Sequence, residues 1–206
     1  MSRPKAQTRI QQKNSEAILE AALEVFSQQG FRGATLDQIA EGAGLSKPNL
    51  LYYFPSKEAI HAALIARLMK VWLDPLRELD PAGDPVEEIL DYIRRKLELS
   101  RDFPRESRLF ANEILQGAPR IQAAFTEELK PLVDEKADVI AGWMAQGKLA
   151  QLEPHHLIFS IWATTQHYAD FDVQVRAVLG AQGDAHFAQA EDFLISLFRR
   201  SLTTGI

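Results

Sequence analysis

The sequence predicts an all-α protein of about nine helices, and three observations carry that prediction. Apolar residues recur at three- and four-residue intervals along most of the chain. No stretch alternates apolar and polar residues for long enough to build a sheet. Helix-start residues and helix-ending glycines punctuate the periodic runs, with no internal repeat and no low-complexity tract.

The elements follow in order. Residues 15–29 place Ile18, Ala21, Ala22, Val25 and Phe26 at helical spacing, and Gly30 stands where a left-handed C-cap belongs. Thr35 reads as an N-cap with Gln38 as its capping-box partner, opening a short helix that Gly42 and Gly44 break after Glu41. Ser46 caps a third helix with Pro48 in its first turn, where a missing N–H has no intrahelical partner to lose. Pro55 stops that run and Ser56 opens a fourth helix, expected to reach about Leu73 with Ile60, Leu64, Leu68 and Val71 on one face. Beyond a loop at 80–85, further helices fit 86–103, 105–116, 120–146, 153–179 and 184–203. Pro131 is expected to kink or split the third of these.

The crowding of short helices between residues 35 and 57 has a functional reading. Two short helices joined by a tight glycine-containing turn form the helix-turn-helix pattern. A helix that lies in a major groove needs small or polar residues at its start, and here they are Lys47, Pro48 and Asn49. Asn pairs bidentately with adenine, and Lys with guanine acceptors. Tyr52 and Tyr53 offer hydroxyls to phosphates. The helix starts at Thr35, at Ser46 and at Ser56 with Lys57 present N–H groups that favour a phosphate. Leu50, Leu51 and Phe54 read as core. Against this stands a plainer reading, because aromatic and leucine residues at helical spacing are more often core and every helix has caps.

Charge agrees with a nucleic-acid contact at the front only. The net charge is −5, yet residues 1–57 carry more Lys and Arg than Asp and Glu, and the acidic excess lies beyond them. The first residues, "SRPKAQTRIQQK", hold Arg3, Lys5, Arg9 and Lys13 with no acid. They read as an arm, disordered alone, that adds phosphate or minor-groove contacts on DNA. The absence of cysteine excludes disulfides, thiol redox chemistry and cysteine-based metal sites. The N-terminus lacks a signal-peptide core, and no apolar run approaches the ~20 residues of a membrane helix, so the chain reads as soluble and cytoplasmic. His155, His156, His167 with Asp170, and His186 match no strong metal spacing, and no phosphate-cradling loop, nucleophile elbow or two-histidine zinc helix occurs. Neither an enzyme nor a metal or cofactor is expected, and Glu113 and Asp170 read as structural acids.

In the body one segment stands out, "IWATTQHYADF" at 161–171. Trp162 and Gln166 lie four apart and share a helical face, with Thr165 beside them. A flat apolar indole next to an amide that both donates and accepts suits a small planar ligand with an amide-like edge, such as uracil. Trp72, near the end of the fourth helix, is a second candidate, 15 residues after Lys57 on the same run and so roughly 22 Å along a helix. The competing reading is that Trp162 and Trp72 are core and Gln166 is a satisfied core amide.

The stretch "TLDQIAEGAGLSKPNLLYYFPSKEAI" resembles the DNA-binding signature of the TetR family of one-component repressors, over about residues 15–62. The family usually has a Tyr where this chain has Leu51. "RLFANEILQGAP", "DEKADVIAGWMAQGKL" and "HLIFSIWATTQHYADF" in the body are similar to the uracil-responsive repressors of pyrimidine utilisation within that family. The resemblance implies a DNA-binding part at 1–56, a ligand-binding and dimerisation body at 57–206, and a palindromic operator. It implies a homodimer through the last two long helices, about 153–179 and 184–203. The apolar face Phe187, Phe193, Leu194, Leu197 and Phe198 is consistent with that interface. Two other functions stand beside this one: a repressor of efflux or fatty-acid genes, which needs a large apolar pocket, and a small-molecule-binding helical protein that does not bind DNA.

Overall fold

The computed structural model describes residues 9–181 and 183–203, and every regular element among them is helical, as the sequence predicts. In chain order these are α1 (Arg9–Gly33), α2 (Leu36–Gly42), α3 (Lys47–Tyr53), α4 (Lys57–Arg77), α5 (Pro85–Asp102), α6 (Pro104–Leu115), a single turn α7 (Gln122–Ala124), a π-helical stretch (Phe125–Leu129), α8 (Lys130–Ala145), α9 (Pro154–Asp170), α10 (Asp172–Leu179) and α11 (Ala185–Leu202). The chain forms two compact units. One is the chain through Leu68 together with Leu109–Ile121, and the other is Met69–Arg108 with the chain from Gln122 onward. The units divide α4 and α6 internally, whereas the functional division expected from the sequence falls at residue 56.

In the first unit, Ile18, Ala22 and Phe26 of α1 are fully buried with Ile39 of α2, Leu50 of α3 and Ile60 of α4. Thr35 caps α2 with both halves of a capping box. The turn to α3 closes with Gly44 N–H on Glu41 and Leu45 N–H on Ala40, a Schellman arrangement that needs the positive φ of Gly44. Gly30 also has positive φ (68°), but its ψ of 173° is extended, so the chain turns there and resumes one more helical turn. α1 begins at Arg9, earlier than expected, so Arg9 and Lys13 are helical, and only Arg3 and Lys5 of the basic arm lie outside the described residues. No breaker lies between Arg9 and Asn14, and Asn14 is tied to α3 by a 2.8 Å bond from its amide to the Tyr53 hydroxyl.

Two further expectations are corrected and one is met. Val71 is exposed and Trp72 takes its place in the buried stripe of α4, because that stripe follows 3.6 residues per turn (Leu64, Leu68, Trp72). The run 120–146 does split: the backbone widens into a π turn, with Lys130 N–H on the Phe125 carbonyl, immediately before Pro131. The wider turn relieves the clash of the proline ring with the preceding turn. The run 153–179 breaks at Phe171, whose φ/ψ of −114°/27° leaves the helix and starts α10.

In the second unit α5 packs against α9 and α11, and α8 against α9. Ile89, Leu90 and Ile93 of α5 are buried with Ile158 and Ile161 of α9, Ile140 of α8, and Phe187, Leu194 and Phe198 of α11. Phe193 and Leu197 of α11 remain exposed, so only part of the apolar face expected at a dimer interface lies free.

Leu109–Ile121 joins the first unit around a buried ionic cluster. The Glu113 carboxylate, 1% exposed, accepts from the Arg120 backbone N–H (3.0 Å) and guanidinium (2.7 Å), and lies 3.7 Å from His61 Nε2. The guanidinium carbon sits 3.6 Å from the Phe31 ring centroid, and the His61 ring meets Phe26 and Phe31 edge-on. Glu113 is thus the structural acid the sequence suggested. Burial holds the His61 imidazole below its ordinary value of 6.5, against the pull of Glu113 and with the help of Arg120. A base whose folded value is depressed binds its proton more readily when unfolded, so stability is lost as pH falls through about 6.5. Denaturant melts of wild type between pH 7.5 and 5.5 should show this loss, and His61→Gln should flatten it; parallel profiles would rule His61 out as its source.

Candidate nucleic-acid interface and ligand site

Ser46, Lys47, Pro48 and Asn49, at the start of α3, are all exposed, and so is Tyr52 at 74%. The Ser46 hydroxyl accepts from the Asn49 backbone N–H, which leaves the Asn49 side chain outward without a protein hydrogen bond among the described residues. Lys47 Nζ reaches Asp37 at 2.9 Å with both side chains well exposed, a pair of the kind that contributes ~0–1 kcal/mol and exchanges readily for a DNA acceptor. Leu51, expected in the core, is 38% exposed beside Tyr52, since a seven-residue helix packed against α2 buries Leu50 alone. Tyr53 is half-buried, with its hydroxyl accepting from Asn14 and its ring edge-on to Tyr52.

Lys57 differs from expectation. Its ammonium donates to the carbonyls of Phe31 (2.8 Å) and Ala34 (2.7 Å) and lies 4.5 Å from the Phe31 ring centroid. It closes the chain end that follows α1, a task the sequence did not reveal. A phosphate at this helix start would be held by backbone N–H groups such as that of Glu58, with the Lys57 side chain already engaged.

In the second unit one face of α5 organises the candidate ligand residues. Trp72 is 5% exposed, and the Lys96 ammonium lies 4.3 Å from its ring centroid. One helical turn before Lys96, the Tyr92 hydroxyl accepts a 2.6 Å bond from Trp162 Nε1. Burial pushes the Tyr92 hydroxyl well above its ordinary value, so it stays protonated, and the indole bond opposes that shift only in part. Burial also pulls Lys96 down to about 7, with Asp170 acting in the opposite sense. Asp170 accepts from the Ser107 hydroxyl, and desolvation raises its carboxyl. On α9, the Thr165 hydroxyl donates to the Ile161 carbonyl (2.7 Å), so its proton is committed to its own helix. The Gln166 amide has no hydrogen-bond partner among the described residues, which departs from the reading of a satisfied core amide. No group of three or more metal-ligating side chains occurs among the described residues.

Comparison with known proteins places the fold in a family. Residues 18–64 match the family model of bacterial regulatory proteins, tetR family, and residues 65–204 match the YcdC-like protein, C-terminal region. The HTH-type transcriptional regulator RutR of Escherichia coli K12 is 57% identical over 166 residues, which are 81% of this chain and 78% of that protein. The chain belongs to the TetR family. HTH-type transcriptional regulator EthR of Mycolicibacterium smegmatis is 43% identical over 54 residues, 26% of this chain and 25% of its own. Among solved structures, the transcriptional regulator SCO4942 of Streptomyces coelicolor aligns with a TM-score of 0.74 at 23% identity, covering 92% of this chain and 98% of that one. AibR, solved with isovaleryl coenzyme A and operator DNA, aligns at 0.68 with 17% identity over 89% and 97% of the two chains. These relatives are regulators and not enzymes, and this TetR-family chain is a helix-turn-helix transcriptional regulator.

Sequence reasoning missed Tyr92 and Lys96, the residues that touch both tryptophans. A signal was present: Ile89, Tyr92, Ile93, Lys96, Leu97 and Ser100 form a buried stripe, and a lysine in such a stripe is an anomaly. For the DNA-binding unit, the exposed start of α3 sets an expectation. Lys47→Ala or Asn49→Ala should cost about 1–3 kcal/mol of operator affinity and relax preference at one position, with melting unchanged. Lys57→Ala should instead lower the melting temperature, since two buried-side carbonyls lose a charged donor contributing ~1.5–3 kcal/mol. Anisotropy titrations across operator variants, with parallel melts, check both; unchanged sequence preference in both α3 variants would remove this helix from base reading.

Proposed function

We propose that this TetR-family regulator is a homodimeric repressor that senses a free pyrimidine base, uracil foremost, and controls pyrimidine metabolism genes from the cytoplasm. The observation that carries the ligand is the Gln166 amide, without a hydrogen-bond partner among the described residues, one turn from the Trp162 indole on the same face of α9. A ring against the indole and an amide edge on Gln166 match both surfaces. Trp72 supplies a second flat wall, and Thr165 shapes the helix between them rather than donating to the ligand. The likeness of the body segments to uracil-responsive repressors supports the same choice. A ring of about eight heavy atoms, at the ceiling of ~1.5 kcal/mol per atom, reaches ~12 kcal/mol, so micromolar affinity is a modest demand.

On the DNA side, Ser46, Lys47, Pro48 and Asn49 face the bases, Tyr52 and the helix start at Thr35 contact phosphates, and Arg9 and Lys13 on α1 add charge. One seven-residue helix reads too few bases. A dimer sets two such helices ~34 Å apart on a palindrome. Exposed Phe193 and Leu197 on α11 and Phe159 on α9 support dimerisation through these helices. Ligand control then follows from mass action: uracil that prefers the dimer form unable to bind the operator lowers operator affinity by the ratio of its two affinities.

Calorimetric titration of uracil into wild type and Gln166→Leu tests the assignment. Wild type should release heat and bind in the micromolar range, and Gln166→Leu should bind at least tenfold more weakly while retaining operator binding without uracil, since a buried polar edge left unpaired costs about 1–3 kcal/mol. No heat with wild type sinks the ligand; equal affinity removes Gln166 from it.

A further inference from the structure

Lys96 differs from Lys136, the other buried lysine among the described residues. It is 3% exposed, and among the described residues its ammonium has no hydrogen-bond acceptor. The second unit shows what a structural buried lysine does instead: Lys136 reaches the Leu79 carbonyl at 3.4 Å and Glu135 at 3.1 Å. The Lys96 ammonium lies over the Trp72 ring, and the Asp170 carboxylate acts on it from α9 through charge alone, with one of its oxygens accepting from the Ser107 hydroxyl. Three N–H donors held inside the protein without an acceptor are costly unless something supplies one.

We propose that Lys96 is a ligand-binding residue, whose ammonium donates to a carbonyl oxygen of the planar base held by Trp72 and Trp162. The inference rests on the pyrimidine reading of this site and adds its selectivity. A base that presents a carbonyl to the cation gains a charge-assisted hydrogen bond. A base that presents an amino group at the same edge, as cytosine does, opposes donor to donor and leaves the ammonium unpaired. The cation over Trp72 therefore selects for oxygen, while Gln166 matches the amide edge. Tyr92, one turn away, holds Trp162 in place and takes no part in the charge.

The same contact makes binding sensitive to pH. Lys96 titrates at about 7 in the unliganded site, and a carbonyl acceptor favours its charged form, so base binding brings a proton with it above that value. The charged group facing it is Asp170 on α9, and beyond Asp170 lie the Arg108 guanidinium on α6 and the His167 ring on α9. If only the charged form binds, uracil affinity falls about tenfold between pH 6 and pH 8.

The test is calorimetry with the purified full chain, using uracil and cytosine as probes. Wild type should favour uracil, and Lys96→Met should bind uracil at least tenfold more weakly and lose most of that preference, with a melting temperature equal or higher because an unpaired buried charge is gone. Lys96→Met binding uracil within twofold of wild type overturns this inference and leaves the pyrimidine reading standing. No wild-type binding of uracil overturns both. Should Lys96→Met fail to fold, wild type decides: a uracil affinity flat from pH 6 to 8 overturns the proposal, as does a profile that disappears in His167→Gln.

Discussion

Two side chains one turn apart on α5, Tyr92 and Lys96, touch both tryptophans that define the candidate ligand site. The Tyr92 hydroxyl receives the Trp162 indole N–H, and the Lys96 ammonium lies over Trp72. Both contacts depend on α5 staying fixed, and its buried stripe of Ile89, Leu90, Ile93 and Leu97 packs it against α9 and α11. An apolar stripe alone would hold the helix as well. Placing a phenol and an ammonium inside it sacrifices stability, since each must be desolvated. Such placement is intelligible when the polar atoms orient rings and meet a ligand.

The DNA-binding unit has its own organising residue. Phe31, just past the turn at Gly30, is approached by Lys57, Arg120 and His61. Lys57 closes the nearby carbonyls, and Arg120 brings its partner Glu113, so a cationic pair flanks one aromatic ring at the end of α1. This arrangement lets the start of α3 stay free of structural duties. Ser46 caps its own helix, Lys47 makes only an exposed pair, and Asn49 projects outward. The exposed residues at the start of α3, proposed to read bases, are thereby separated from those that hold the unit together.

The legible part of this protein was local. The capping box at Thr35, the cap at Ser46, the break at Gly44 and a split at Pro131 are written in neighbouring residues, and the structure repeats them. The α9 pair Trp162 and Gln166 was visible for the same reason, because i,i+4 spacing places two side chains on one face. What the sequence hid was long-range. Lys57 looked like a phosphate contact because its partners lie 23 and 26 residues away. Tyr92 was invisible because its partner lies 70 residues on. The break at Phe171 escaped notice because no glycine or proline marks it. Glu113 was recognised as structural without its cluster, since Arg120 lies across a turn seven residues on and His61 comes from α4.

The central claim is that one face of α5 prepares a site whose occupation governs operator binding. It is tested most directly by uracil titration of a preformed protein–operator complex, followed by anisotropy, for wild type and Tyr92→Phe. Tyr92→Phe removes only the acceptor of the part-buried Trp162 N–H, a loss of about 1–3 kcal/mol. The account predicts that uracil releases wild type from DNA and that Tyr92→Phe binds the operator normally but needs at least fivefold more uracil for release. An operator complex indifferent to uracil, or a Tyr92→Phe variant released at the wild-type concentration, would contradict it.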